Sequence, residues 1–207
     1  RRSNVRAVCT TDDPADTLEH HVALRDEGFE IRVLPTWRPD KALAIDRPAF
    51  WNGWLGKLEA AADMAIGSHD DLLAALARRH DVFAAAGCRL SDYGIETVPD
   101  APPCSSGNMR TIFNKARGGG QVTPDEAAAF RAEMLYRLGR MDAAADWTWQ
   151  IHYGAQRDNN TRMFELLGPD SGFDSIGDWP VARGMARLFD RLDRENTLPR
   201  TIVYTLN

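Results

Sequence analysis

The segment WTWQIHYGAQRDNN, residues 147–160, begins with the alternation of a strand and ends in polar residues. Large apolar side chains recur at every second position from Trp147 to Tyr153, a period-two pattern that predicts extended chain. His152 and Arg157 lie at its carboxyl end. An imidazole can bind a metal ion or a sugar oxygen, and a guanidinium can bind hydroxyls or a carboxylate. Both are therefore candidate functional residues, although a lone histidine is more often a core residue with satisfied hydrogen bonds.

A second cation, Arg38, follows another apolar strand and precedes Pro39, which favours an extended bend. Its planar fork matches a carboxylate in a bidentate manner. The alternative is a surface ion pair with Asp40, of a kind that contributes little to stability. Trp37, the preceding residue, is expected in the wall or core. Asp92 ends a third strand and is expected to orient a ligand or a neighbouring side chain.

Two further polar clusters have a structural and a functional interpretation. Asp12 and Asp13 could share a proton, since neighbouring carboxylates split their pKa values. We favour a cap before Pro14 for this pair. Asp158, Asn159 and Asn160 could contact substrate, but they precede a predicted helix and are typical of caps. We favour capping for these residues also.

The elements that must position these residues are strands that alternate with helices. The strands are uniformly apolar, which predicts a parallel sheet covered on both faces. In such folds the functional residues lie beyond the carboxyl ends of the strands. Residues 97–122, rich in Pro and Gly at both ends, are interpreted as an insertion. The helices are expected at roughly 14–27, 48–64, 69–87, 124–145 and 181–196, and the strands at 5–13, 29–40, 88–94, 147–153 and 200–207.

The composition limits the possible classes of function. The chain has 207 residues, 43% of them apolar, and a net charge of -5, which is typical of a globular protein without a basic nucleic-acid footprint. No apolar run approaches the roughly 20 residues that cross a bilayer. Three cysteines without metal-ligand spacing favour reduced thiols and a cytoplasmic location. No glycine-rich phosphate motif occurs, so a small-molecule substrate without a nucleotide cofactor is expected.

Six segments occur in the order found in a known enzyme family. Together they resemble the uronate isomerases (glucuronate isomerases), and the resemblance is weakest over about 97–122. Members of this family are similar in fold to the amidohydrolase superfamily, a distorted (β/α)8 barrel. They interconvert D-glucuronate with D-fructuronate and D-galacturonate with D-tagaturonate. The segments are TTDDPADTLEHH, VLPTWRPDKA, GCRLSDYG, IHYGAQRDNN, LLGPDSGFDSIGD and LPRTIVYTLN.

The resemblance assigns roles to the candidate residues. It implies that His152 and Arg157 are catalytic, and that Arg38, Arg157, Asp92 and Trp37 contact the uronate. It also implies one divalent metal ion such as zinc, with His152 as a tentative ligand, and no nucleotide or redox cofactor. A homo-oligomer is expected.

The sequence also departs from the family. The H-x-H pair of the first barrel strand and the Asp-x-Arg of the last are absent, and Tyr93 stands where many relatives have His. We therefore expect residues 1–207 to form a single partial barrel of about five parallel strands, without the family's first and last strands, and to be inactive alone. Two alternatives are a metal-dependent hydrolase of the same superfamily and a non-catalytic or vestigial uronate-binding fragment.

Overall fold

The computed structural model describes residues 3–205. Within this range no helix is long and apolar enough to cross a membrane. The strands are β1 (Ala7–Cys9), β2 (Arg32–Leu34), β3 (Leu90–Ile95), β4 (Thr148–Tyr153), β5 (Ala155–Gln156), β6 (Ser175–Ile176) and β7 (Arg200–Thr205). The helices are α1 (Glu19–Asp26), α2 (Pro48–Ala62), α3 (His69–Ala85), α4 (Ser106–Arg117), α5 (Pro124–Ala144), α6 (Thr161–Leu167) and α7 (Ala182–Arg194), with a short 3-10 turn at Asp40–Leu43.

Five of the strands run parallel in the order β1, β2, β3, β4, β7. β1 pairs with β2, and β4 lies between β3 and β7. Trp37 joins the two groups, because its backbone bridges to Asp12 on one side and to Ser91 on the other. The small β5–β6 pair is antiparallel and lies beyond the end of β4. The expected α/β fold with parallel strands and helices is confirmed.

The sheet has one apolar and one polar face, because successive side chains of a strand point in opposite directions. Trp149 and Ile151 of β4 are buried, whereas His152 between Ile151 and Tyr153 is exposed. α5 packs closely on the apolar face at Gly139, where an added Cβ would lie 3.2 Å from the Trp149 ring. The helices therefore cover one face, and the opposite face carries the polar residues.

A buried polar network ties two helices to this apolar face. Asp142 of α5 accepts a hydrogen bond of 2.6 Å from the Ser91 hydroxyl of β3. Its other oxygen lies 3.2 Å from Nε2 of His80 in α3. The His80 ring in turn stacks on Trp147 with 3.7 Å between ring centroids. Burial raises the pKa of Asp142, while its hydrogen bonds to His80 and Ser91 act in the opposite direction.

The helix predicted at 14–27 is present and ends at Asp26, but its predicted start was wrong. Asp13 accepts a hydrogen bond from the Ala15 backbone and receives another at its own carbonyl from Asp16, so these residues form a turn. α1 begins at Glu19, after Leu18 in the left-handed region with φ 60°. Asp-Pro capping chemistry is the same for a tight turn and for a helix start, so the sequence pattern did not separate them.

Other helix boundaries follow the predicted caps. Ser68 accepts a hydrogen bond from the Asp71 backbone at the start of α3, and Asn160 accepts one from Met163 at the start of α6. The segment 97–122, interpreted as an insertion, contains α4. The apolar face of α4 is buried, so this segment contributes to the core; its buried residues are Met109, Ile112, Phe113 and Ala116.

Thr123→Ala is expected to lower the free energy of unfolding by about 1 kcal/mol. The Thr123 hydroxyl accepts a hydrogen bond from the Glu126 backbone, and the Glu126 carboxylate accepts one from the Thr123 backbone, which forms a capping box for α5. Urea unfolding measures the difference. Thr111→Ala is the control, because that hydroxyl only bonds the Gly107 carbonyl within α4. Equal losses in both variants would contradict the prediction.

Candidate active site

Asp92 brings the two main candidate residues together on the polar face. Its Oδ2 atom accepts a hydrogen bond of 3.2 Å from Nη1 of Arg38. Its Oδ1 atom lies 3.0 Å from Nε2 of His152. The Thr11 hydroxyl, at the end of β1, donates to Oδ2 at 3.4 Å. The Asp92 carboxylate on β3 therefore links residues from the carboxyl ends of β1, β2 and β4.

Strand register explains why His152 can reach Asp92. Gly94 pairs with His152 across β3 and β4. Asp92 lies two residues before Gly94 and therefore points to the same face of the sheet. Because Gly94 has no side chain, the imidazole can lean back along β3 toward the carboxylate. The His152 side chain is about half exposed and stacks on the Tyr204 ring of β7 with 4.3 Å between centroids.

Arg38 is held by a second carboxylate and by the backbone of β3. Its Nε donates to Oδ2 of Asp40 at 2.8 Å, and the same oxygen accepts 2.9 Å from the Gly94 amide. The expected Arg38–Asp40 ion pair is therefore present, but it is partly buried and shared with Asp92. Burial disfavours the charge on Arg38, yet the carboxylates of Asp40 and Asp92 raise its pKa overall. Arg38 is thus a fixed cation at the rim of the sheet.

Asp40 is the carboxylate in this cluster that titrates near neutral pH. Burial raises its pKa from an ordinary 3.8 to about 6, against the opposing effects of Arg38 and of the Gly94 amide. The nearby charge of Asp92 acts in the same direction as burial. The folded protein therefore binds a proton at Asp40 more readily than the unfolded chain does.

Asp40→Asn is expected to flatten the pH dependence of stability in the acid range. Because the pKa is higher in the folded state, the stabilisation is complete below the ordinary value of 3.8 and is lost as pH rises through about 6. A shift of this size corresponds to at most about 3 kcal/mol. Urea unfolding from pH 4 to pH 7 measures the profile, with Asp46→Asn as the control at a carboxylate that pairs with Arg131 instead. Parallel profiles for wild type and Asp40→Asn would show that Asp40 titrates normally.

Arg157 lies near His152, but its charge is already paired. His152, Arg157, Tyr204 and Gly94 line one small cavity of about 140 Å³ beyond the strand ends. Nη1 of Arg157 lies 2.5 Å from Oδ2 of Asp174, whose other oxygen accepts a hydrogen bond from the Asp158 backbone. The guanidinium is half exposed. Arg157 can therefore contact a ligand in this cavity, and a full ion pair with that ligand would require release from Asp174.

Two aromatic residues considered from the sequence lie in the core. Trp37 is fully buried and packs edge-on against His80 and Phe83. Its expected contact with substrate is therefore not possible in this structure, because its side chain points away from Arg38 toward the helices. Tyr93 is also fully buried, against Trp149 on the apolar face.

Asp12 and Asp13 do not act as a carboxylate pair. Asp12 accepts hydrogen bonds from the Thr10 hydroxyl and the Thr36 backbone. Asp13 accepts from Nε1 of Trp54 at 2.9 Å and lies 3.0 Å from the Lys41 ammonium. The two carboxylates thus have separate partners, which supports the structural interpretation.

The described residues do not form a metal site by themselves. His152 Nε2 and Asp92 Oδ1 are two potential ligand atoms, and Oδ1 is buried and accepts no hydrogen bond within residues 3–205. Catalytic zinc sites use three protein ligands. In the same part of the chain no group of three or more His, Cys, Asp or Glu residues could hold a metal ion. His152 and Asp92 therefore supply fewer protein ligands than a catalytic zinc ion needs.

Comparison with known proteins identifies the family. The sequence model described as glucuronate isomerase matches residues 1–207. The uronate isomerase of Phocaeicola vulgatus is 51% identical over 207 residues, which is 100% of this chain and 44% of that protein. That of Salmonella typhi is 50% identical over 208 residues, again 100% of this chain and 44% of that protein. The chain thus spans less than half the length of these curated relatives.

Solved structures agree with this assignment. The crystal structure of uronate isomerase from Thermotoga maritima matches with a TM-score of 0.92 at 32% identity, covering 100% of this chain and 45% of that one. The glucuronate isomerase of Caulobacter crescentus matches with a TM-score of 0.86 at 28% identity, covering 100% and 42%. The agreement extends over the strands that carry Arg38, Asp92 and His152. The chain belongs to the glucuronate isomerase family.

Proposed function

We propose that this chain forms the middle part of a (β/α)8 barrel whose complete form isomerises hexuronates, D-glucuronate to D-fructuronate and D-galacturonate to D-tagaturonate. The observation that carries the proposal is the shared contact of Arg38 and His152 with Asp92 at the carboxyl ends of parallel strands. Five parallel strands in consecutive order, with helices on one face, support the barrel. In this arrangement the polar face of the sheet is the barrel interior.

Arg38 suits the recognition of an anionic sugar. A uronate differs from a neutral hexose by its C6 carboxylate, which a guanidinium binds through charge-assisted hydrogen bonds. Two of the Arg38 nitrogens, Nε and Nη1, already donate to Asp40 and Asp92. The Nη2 group can therefore donate a hydrogen bond to an oxygen of the ligand. Such an anchor fixes the distant end of the sugar and brings C1 and C2 to a defined place.

His152 and Arg157 are proposed to act nearer the reacting carbons. Aldose–ketose isomerisation moves a proton between C2 and C1 and needs a base, together with stabilisation of the charge that develops on a carbonyl oxygen. The half-exposed imidazole of His152 can donate a hydrogen bond to that oxygen, oriented by Asp92 and by stacking on Tyr204. Arg157 would supply a second cation. We assign the base to the part of the barrel that the relatives have outside the matched region.

A divalent ion such as zinc would polarise the carbonyl oxygen in the complete barrel, with His152 as one ligand. The roles given above to Arg38, His152 and Arg157 do not depend on this ion, because residues 3–205 do not supply a complete set of metal ligands. A redox or nucleotide cofactor is not required, since the isomerisation is redox-neutral within the sugar. The cytoplasmic location, the homo-oligomeric state and the lack of nucleic-acid or membrane partners stay predictions.

The direct test is turnover by the purified protein at its natural length. D-glucuronate and D-galacturonate are incubated with it in D2O, and NMR follows both ketose formation and deuterium uptake at C1 of the ketose. We expect both signals, and no product from amides or lactones, which a hydrolase would cleave. A protein that is thermally stabilised by uronates but neither isomerises them nor exchanges the C2 proton would contradict the proposal. Residues 1–207 expressed alone are expected to give no turnover.

A further inference from the structure

We propose that Asp40 is a positioning residue, which fixes the Arg38 guanidinium against Gly94 so that the Nη2 group is presented to substrate. This inference rests on the proposed function, because it assigns Asp40 a role in uronate binding. Asp40 does not itself need to touch the sugar. Its effect on the reaction is transmitted through Arg38 alone.

The contacts of Asp40 give it this role. A single oxygen, Oδ2, accepts both the Nε–H of Arg38 at 2.8 Å and the backbone N–H of Gly94 at 2.9 Å. The arginine is thereby tied to the backbone of β3 through one atom. Asp92 holds the adjacent Nη1 at 3.2 Å. With Nε and Nη1 both held, the guanidinium plane cannot rotate freely, and Nη2 is the guanidinium nitrogen that neither Asp40 nor Asp92 holds.

We call the contacts of Asp40 and Asp92 that hold the Arg38 guanidinium the clamp. Gly94 completes the clamp by leaving room for the guanidinium. A Cβ added at this position would lie 1.9 Å from Nη2 and 3.1 Å from Cζ of Arg38, so the guanidinium would have to move from its present place. Gly94 is not among the glycines of the described chain with positive φ, so its backbone conformation is open to other residues. The absence of a side chain at Gly94 therefore permits the close approach of the guanidinium and does not serve a turn. Gly94 also lines the small cavity beside His152.

The clamp has a physical purpose at this location. An arginine side chain has several rotatable bonds, and ordering it at the moment of binding costs free energy. Arg38 is one third exposed, so without Asp40 it would sample orientations toward solvent. Asp40 cannot strengthen the attraction for an anion, since its own charge opposes that of the ligand. Its contribution is to hold the geometry.

A double-mutant cycle in the protein at its natural length separates positioning from a general structural role. Asp40→Ala is made in the wild type and in an Arg38→Met background. In the wild type we expect kcat/KM for D-glucuronate to fall by about 10–100-fold, mainly through KM. In the Arg38→Met background the further loss is expected to be below about twofold, because the partner is already gone. Asp40→Asn, which keeps an acceptor oxygen, is expected to restore part of the loss.

The matched control is Asp46→Ala, which breaks a partly exposed ion pair with Arg131 and not one with Arg38. It is expected to leave kcat/KM unchanged. Equal losses for Asp40→Ala in both backgrounds, or no loss in the wild type, would overturn the positioning role.

A readout that does not require turnover keeps this inference separate from the proposed function. The ¹⁵N-edited NMR signal of the Arg38 Nε–H, assigned by its disappearance in Arg38→Lys, reports the bond to Asp40. We expect slow hydrogen exchange at this Nε–H in the wild type and exchange faster by about tenfold or more in Asp40→Ala. If the wild type fails to isomerise uronates but the signal behaves in this way, the proposed function fails and the clamp stands. If the exchange rate is the same in both proteins, the clamp itself is wrong.

Discussion

Asp92→Asn is expected to lower kcat/KM for D-glucuronate by about 10²–10³-fold in the protein at its natural length. The Asp92 carboxylate contacts Nη1 of Arg38 through one oxygen and faces Nε2 of His152 through the other. An asparagine keeps the shape but replaces one acceptor oxygen with an amide donor, so one of the two partners loses its contact. Because both partners are oriented by the same group, their loss of position affects binding and chemistry together. Steady-state kinetics with each uronate measures the effect.

The control for this prediction is Asp100→Asn. Asp100 binds Arg187 of α7 at 2.8 Å, so its partner is neither Arg38 nor His152. It is expected to retain wild-type kinetics. Thermal melts of both variants test that they remain folded. A kcat/KM for Asp92→Asn within twofold of the control would show that the carboxylate does not organise the site.

Asp142→Ala is expected to lower the free energy of unfolding by about 2–4 kcal/mol. The substitution leaves the His80 imidazole and the Ser91 hydroxyl without their partner in a part of the core that water does not reach. The desolvation cost of both groups is then no longer offset. Urea unfolding at neutral pH measures the loss.

Asp146→Asn is the comparison for Asp142→Ala, because asparagine, unlike alanine, tolerates the left-handed backbone at this position, where φ is 57°. This exposed carboxylate lies just beyond the end of the same helix and pairs with Arg200 at the surface. Exposed pairs contribute little, so its removal is expected to have a small effect. Comparable losses at both positions would contradict a special role for the buried network.

Alternation along β4 could be predicted from the sequence, and it places His152 on the face opposite Ile151. The helix N-caps could also be predicted from the sequence, because Ser68, Thr123 and Asn160 accept hydrogen bonds from backbone groups three residues further along the chain. Strand alternation and helix caps are local features, and each depends on only a few adjacent residues. The same alternation explains why Trp37 lies in the core. In extended chain, the neighbour of a residue that faces the site points to the opposite side of the sheet.

The contacts that define the site could not be predicted from the sequence, because they depend on strand register. Asp92 meets His152 only because Gly94 pairs with His152, and these strands are separated by more than fifty residues of chain. Asp40 was interpreted as a surface partner of Arg38. Its actual environment is set by the Gly94 amide, which is equally remote in sequence. The sequence signal that could have indicated this contact is the glycine two residues after Asp92, on the same face of β3.

The most direct measurement of the central claim is a crystal structure of the protein at its natural length with D-glucuronate bound. We predict that a sugar oxygen lies within about 3 Å of Nη2 of Arg38 and that another lies at the same distance from the imidazole of His152. Asp92 would remain between the two side chains. A sugar bound in any other cavity, or one that contacts neither Arg38 nor His152, would contradict the account.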